Sequence, residues 1–232
     1  MPLTRADLEA DLLRRNYERH HPELALMPRD AYEASLEAAV TGAGGDLWLF
    51  AYGSLIWNPL FLFAERRAAR ARDLHRRFCL WSRMGRGTAQ YPGLMLALDN
   101  GGACDGFAFR IPAEHVREEL TLIWRREMTL GSYDPRFVEV TDGHGSTLRA
   151  LAFIARPDGA HYAGHLPAAT VVEVLATASG RLGSAADYLY ETARCLREHA
   201  IDDPALFDLE ARVRARRSAY DAGSRVPSGD RP

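Results

Sequence analysis

The stretch that decides the fold is residues 47–54, LWLFAYGS, in a chain of 232 residues. Its apolar part, residues 47–52, is a dense run of strand length, and Gly53-Ser54 ends the run abruptly. A strand that runs into Gly-Ser exposes consecutive backbone N–H groups, which can hold a carboxylate or an oxyanion. Tyr52-Gly53-Ser54-Leu55 is therefore a candidate binding turn, although a plain strand-to-turn transition has the same pattern.

Further strands are predicted C-terminal to this run. Apolar runs of strand length occupy residues 77–84, 94–99, 104–111, 137–141 and 147–155. The turn residues Asp99-Asn100-Gly101-Gly102 and Asp142-Gly143-His144-Gly145 each separate two of these runs, and they predict two hairpins.

Helical spacing surrounds and interrupts the strands. Helices are predicted at residues 3–21, 30–40, 112–131, 167–178, 184–200 and 204–220. Because helices and strands do not alternate strictly, the chain is predicted to be an α+β protein. Its small antiparallel or mixed sheet should curve toward a barrel.

Composition and charge exclude several classes of protein. The chain carries 29 basic and 31 acidic residues, for a net charge of −2, which gives no field for steering onto nucleic acid. It contains no lysine, so Schiff-base chemistry and a Walker lysine are excluded. Three cysteines without a CxxC pair predict a reducing, cytoplasmic environment. No histidine or cysteine spacing matches a zinc site.

A membrane span is not predicted. Residues 47–64 lack formal charges and approach the length of a short span, but Gly53, Ser54, Asn58 and Pro59 interrupt them. A strand and a turn account for this stretch better.

The inserted helix carries one carboxylate on its apolar side. At about 100° per residue, Glu127 lies within about 20° of Val116 and Leu120, whereas Glu118 should be solvated and Glu119 should lie on the flank. Burial raises a carboxyl pKa and makes such a group a candidate general acid or base. An internal ion pair with an arginine is the alternative.

A polar loop at residues 86–93, RGTAQYPG, joins two strand-like runs. Arg86 is its candidate cation for an anionic substrate. A simple connection between strands is the alternative interpretation of the same loop.

Several blocks, taken in order, resemble the ChaC family. They are LFAYGSLIWNP at residues 49–59, RGT at 86–88 with PG at 92–93, LIWRREM at 122–128, SGRLG at 179–183 and DYL at 187–189. The resemblance covers about residues 46–215 and is greatest to the bacterial members.

The resemblance implies a γ-glutamylcyclotransferase specific for glutathione, which it converts to 5-oxoproline and cysteinylglycine. The implied fold is a small β-barrel with peripheral helices, in a domain spanning residues 46–222. Residues 1–45 are then an N-terminal helical extension, and residues 223–232 are a flexible tail. By resemblance, Glu127 is the catalytic residue and Tyr52, Gly53, Ser54 and Leu55 bind the γ-glutamyl group.

The implied reaction needs no metal, organic cofactor, nucleic acid or membrane. The α-amine of the substrate attacks its own δ-carbonyl, and Glu127 moves the proton. Arg86 is the candidate for the glycine carboxylate, and Tyr133 and Tyr162 are candidate pocket hydroxyls.

Two alternatives remain open at this point. A related cyclotransferase for other γ-glutamyl amino acids or amines would use the same chemistry. A non-catalytic binding or regulatory protein would bind glutathione without turning it over.

Overall fold

Five strands form a closed β-barrel in the computed structural model, which describes residues 3–224. They are β1 (Leu47–Ala51), β2 (Glu65–Ser82), β3 (Gly93–Ile111), β4 (Tyr133–Asp142) and β5 (Thr147–Ala155). Their order is β1-β3-β2-β4-β5, and parallel pairing of β1 with β5 closes the barrel. The predicted α+β class and the mixed barrel are confirmed.

Strand β3 corrects one predicted hairpin. It continues through residues 99–102 and pairs with β2 along its length, so the turn lies instead at residues 83–92. Gly101 and Gly102 have φ of +92° and +71°, opposite a register shift between Arg72 and Leu74. The glycines therefore accommodate a bulge rather than a chain reversal. The hairpin between β4 and β5 is confirmed.

The first half of β2 is also absent from the predicted strands. Residues 65–72, ERRAARAR, carry almost no large apolar residues, so no strand-length apolar run is visible. The small side chains of Ala69 and Ala71 nevertheless point into the barrel and are buried.

Eight helices surround the barrel within residues 3–224. They are α1 (Arg5–Glu9), α2 (Leu12–His20), α3 (Arg29–Ala43), α4 (Ser54–Trp57), α5 (Val116–Glu127), α6 (Ala168–Thr177), α7 (Ala185–Glu198) and α8 (Pro204–Ser224). A short β6–β7 pair, Ser179–Gly180 with Gly183–Ser184, precedes α7.

The predicted helix 3–21 is wrong as one element. It is divided into α1 and α2 at Asp11, which has a φ of +50°. At the other end, α8 continues through Ser224. The remainder of the predicted tail, residues 225–232, lies outside the described residues.

No helix within residues 3–224 is long and apolar enough to span a bilayer. The uncharged residues 47–64 form β1, α4 and the connection to β2.

A buried ion pair attaches the N-terminal helices to α5. The side chain of Glu119 is 0% exposed, and Arg5 binds it through two N–H groups at 2.7 and 2.9 Å. The backbone N–H of Leu62 donates to the same carboxylate. Glu119 lies on the flank of the apolar face, and the sequence did not predict its burial, which arises because α1 covers that side of α5. Glu118 is 66% exposed, as predicted.

Arg5→Gln should lower the free energy of unfolding by about 3 kcal/mol, because it leaves a buried carboxylate without its counter-charge. Arg117→Gln is the matched control, since Arg117 lies on α5 and binds the exposed Glu37. That change should cost much less, because solvent screens an exposed ion pair. Urea denaturation of both variants measures the difference, and equal losses would contradict the anchoring role of Arg5.

Candidate active site

A cavity of about 470 Å³ lies beside the barrel. The parts of the chain that line it include the α4 turn, the end of β2 with its following loop, the end of α5 and the start of α7. The lining side chains include Ser54, Trp57, Asn58, Trp81, Arg83, Arg86, Arg126, Glu127, Tyr133, His161, Asp187 and Tyr188. A cavity of this volume suits a small-molecule ligand.

Glu127 is the last residue of α5 and reaches the cavity wall. Its side chain is 13% exposed, so the prediction that it follows the apolar face is confirmed. Burial raises the pKa of Glu127 above its usual 4.5, and the positive charge of Arg126 acts in the opposite direction. The sequence offered two alternatives for Glu127, a group at a binding site or an ion pair with an arginine. The side chain combines both, because it lies at the cavity and has Arg126 as its partner.

Arg126 connects Glu127 to the α4 turn. Its Nε lies 3.1 Å from Oε1 of Glu127, and its other N–H groups donate to the carbonyl of Asn58 and to Oγ of Ser54. A planar guanidinium can bind several acceptors in a fixed geometry. Arg126 thus fixes the position of Ser54 relative to Glu127. Arg126 lies within the same sequence block as Glu127, but the sequence alone did not indicate its role as a site residue.

The turn predicted to bind substrate is residues 52–55. Ser54 lines the cavity, whereas the side chains of Tyr52 and Leu55 do not. The Tyr52 hydroxyl donates to the carbonyl of Phe153 at 2.6 Å, and Leu55 packs in the hydrophobic core. The first turn of a helix has N–H groups without intrahelical partners, so in this turn the available donors are backbone groups at the start of α4.

Gly53 allows a close approach at the same turn. A Cβ at this position would lie 3.0 Å from the Tyr188 hydroxyl and 3.7 Å from Cβ of Leu96. Burial raises the pKa of Tyr188 to about 12, so its hydroxyl stays protonated at neutral pH. Tyr188 lies within the DYL block at residues 187–189, but the sequence alone did not indicate that it reaches this turn.

Arg86 lies against Tyr188. Its guanidinium carbon is 5.5 Å from the centre of the Tyr188 ring, and Nη1 donates to the carbonyl of Ser184 at 3.4 Å. No carboxylate among residues 3–224 lies within 4 Å of this guanidinium, and burial lowers the pKa of Arg86. Arg86 is therefore a partly buried cation that faces the cavity without an acidic partner.

Close contacts between glycines hold together two parts of the cavity wall, the loop that follows β2 and the β6–β7 segment. A Cβ on Gly180 would lie 2.4 Å from the carbonyl oxygen of Gly87 and 2.6 Å from that of Gly85. A Cβ on Gly87 would lie 2.0 Å from the backbone nitrogen of Gly93. Backbone packing this close requires residues without side chains, so the two loops have a fixed separation.

The two tyrosines proposed as pocket hydroxyls differ in position. Tyr133 lines the cavity, and its hydroxyl donates to the carbonyl of Leu96 at 3.3 Å. Tyr162 does not line it, because its hydroxyl binds Asp99 and Arg77 on the barrel. The preceding residue, His161, lines the cavity instead, and burial lowers its pKa.

The N-terminal segment also lines the cavity, which the sequence did not predict. Leu3, Leu13, Tyr17 and Leu24 form this part of the wall. Burial raises the pKa of Tyr17, and the charge of Glu127 contributes to the increase. The segment therefore covers the site next to the carboxylate.

The fold is a closed, mixed β-barrel in which α5 is inserted between β3 and β4. The carboxylate of Glu127 lies at the end of this helix. The same fold occurs in the crystal structure of a selenomethionine-labelled yeast γ-glutamyl cyclotransferase specific to glutathione. The two structures match with a TM-score of 0.70 at 22% identity, over 75% of this chain and 98% of the yeast chain.

The ChaC-like protein family matches residues 47–216, and the chain belongs to this family. The glutathione-specific γ-glutamylcyclotransferase of Escherichia coli K12 is 41% identical over 170 residues, which are 73% of this chain and 74% of that protein. Glutathione-specific γ-glutamylcyclotransferase 1 of Rattus norvegicus is 33% identical over 178 residues, 74% of this chain and 78% of the rat protein. The resemblance seen in the sequence is thus confirmed.

Gly180→Ala should lower the free energy of unfolding by about 1–3 kcal/mol, because the added methyl group must displace the backbone of Gly85 and Gly87. Gly143→Ala is the matched control: it lies in the β4–β5 turn, and its Cβ would have no atom within 4 Å. Denaturation curves compare the two variants. Equal stability would show that the interlocked loops have room to relax.

Proposed function

We propose that this protein is a γ-glutamylcyclotransferase that converts glutathione to 5-oxoproline and cysteinylglycine. The observation that carries the proposal is Glu127, a carboxyl group with a raised pKa at the wall of a cavity of about 470 Å³. Membership of the ChaC-like family and the names of the relatives support the same activity.

The reaction is intramolecular. The α-amine nitrogen of the γ-glutamyl group forms a bond to the δ-carbonyl carbon and closes a five-membered ring. The bond from that carbon to the cysteine nitrogen then breaks, which releases cysteinylglycine. A cavity that holds the γ-glutamyl chain folded promotes ring closure by proximity.

Glu127 moves the proton in this scheme. The substrate amine is largely an ammonium ion near neutral pH, and it must lose a proton before it attacks. The Glu127 carboxylate accepts that proton and then donates it to the leaving cysteine nitrogen, and the carboxylate so regenerated takes the surplus proton from the positively charged ring nitrogen. Its raised pKa makes the carboxylate a stronger base, which favours removal of the proton from the substrate ammonium ion.

The α-carboxylate of the substrate is assigned to Arg86 and the start of α4. Arg86 lies against Tyr188, whose hydroxyl is next to Gly53. The N–H groups of Gly53, Ser54 and Leu55 bind this carboxylate or the developing oxyanion. In this proposal Arg86 binds the γ-glutamyl end of the substrate rather than the glycine carboxylate, for which the sequence suggested it.

Glu127→Gln should lower 5-oxoproline release from glutathione by at least about 100-fold, because the amide cannot accept the proton. The variant should still bind glutathione, as measured by calorimetry. Glu118→Gln is the matched control on the exposed side of α5 and should retain activity within about twofold. Turnover in Glu127→Gln close to that of the wild type would remove Glu127 from the mechanism.

Parallel reactions with γ-glutamyl-alanine separate the two alternatives. Release mainly from γ-glutamyl-alanine would keep the mechanism and change the substrate. Glutathione binding without release from either compound would favour a binding protein.

A further inference from the structure

A second cavity, of about 540 Å³, adjoins the catalytic cavity. We call it the outer groove, and its lining residues are Asn16, His20, His21, Glu23, Arg83, Met84, Gly87, Thr88, Ala89, Gln90 and Arg181. Arg83 and Met84 line both cavities. The two cavities therefore meet at the loop that follows β2, where Arg83 and Met84 form part of both walls.

Two arginines at this junction have no acidic partner. Neither Arg83 nor Arg181 has a carboxylate within 4 Å among residues 3–224, and neither guanidinium donates a hydrogen bond there. The charge of Arg181 acts on Asp7, but Thr4 already binds that carboxylate in the cap of α1. Glu23, the one acidic residue among those lining the groove, interacts with His21. The groove thus presents two cations whose hydrogen-bonding capacity is available.

Helix α2 contributes to the walls of both cavities. Leu13 and Tyr17 face the catalytic cavity, whereas Asn16 and His20 face the outer groove. The charges of Glu127 and Arg181 both act on Tyr17. α2 therefore borders both the cavity of Glu127 and the groove of Arg181.

The loops that carry the arginines have a fixed separation. The backbone N–H of Arg181 donates to the carbonyl of Met84, and the N–H of Leu182 donates to that of Gly85. Together with the interlocked glycines, these bonds hold the loop of Arg83 and the loop of Arg181 against each other where the two cavities meet.

Glutathione, the substrate under the proposed function on which this step rests, carries carboxylates at both ends. They stand about 10 Å apart in an extended tripeptide, so one arginine cannot bind both. With the γ-glutamyl end at Arg86 and the scissile bond at Glu127, the remaining dipeptide must extend toward another part of the cavity wall.

We propose that Arg83 and Arg181, which line the outer groove together with α2, bind the glycine carboxylate of the substrate. Charged hydrogen bonds to a carboxylate give both affinity and orientation. The N-terminal segment, which lies outside the residues matched by the family, then takes part in selecting substrates that have a distal carboxylate.

The test compares glutathione with its glycinamide, which lacks only the distal negative charge. The Arg83→Gln/Arg181→Gln double variant should raise KM for glutathione about tenfold and leave kcat within twofold. Its kcat/KM for the glycinamide should stay at the wild-type value. Arg15→Gln is the matched control, because Arg15 is an exposed arginine of α2 that lines neither cavity. This variant should change neither KM nor kcat for either substrate.

Equal effects of the double variant on both substrates, or no effect on either, would overturn the assignment. Wild-type protein that turns over glutathione and the glycinamide equally well would also overturn it while leaving the proposed function intact. If neither compound is turned over, the proposed function fails. Calorimetric binding of the same two compounds then tests the subsite: wild-type preference for glutathione, lost in the double variant, supports it, and equal binding overturns it.

Discussion

The site is built around one constraint: the Glu127 carboxylate lies on the apolar side of α5 and still reaches a cavity. Burying a carboxylate is costly unless it has a partner, and Arg126 supplies one to Glu127. The same guanidinium donates to Ser54 and to the carbonyl of Asn58. The interaction that stabilises the buried carboxylate therefore also positions the turn at the start of α4.

The other walls of the cavity are positioned by residues that take no part in the proposed reaction. Interlocked glycines hold the Arg86 loop against the loop before α7, and the buried Arg5–Glu119 pair holds α1 on α5. Because α1 leads directly into α2, this pair also fixes the segment that lines the cavity beside Glu127. Parts of the chain far apart in sequence thus enclose the site.

Helical periodicity and turn residues predicted two features of the structure correctly: the side of α5 on which Glu127 lies and the hairpin between β4 and β5. The 100° spacing placed Glu127 with Leu120, and Asp142–Gly145 located a true hairpin. The early part of β2 was missed because small alanines, rather than large apolar residues, face the barrel interior there. Periodicity also shows which side of a helix is buried, but not what covers it, so the cavity-lining role of Tyr17 and the burial of Glu119 required the tertiary structure.

The most direct test of the central claim is a titration of the Glu127 carboxyl itself. Carbon-13 NMR of protein labelled at the glutamate side-chain carboxyl would follow it, with the Glu127→Gln variant identifying its signal. The account predicts a midpoint above 4.5, and a still higher one in Arg126→Gln, because removing a nearby positive charge favours the protonated form. A midpoint at or below 4.5, or one that does not move when Arg126 is replaced, would contradict it.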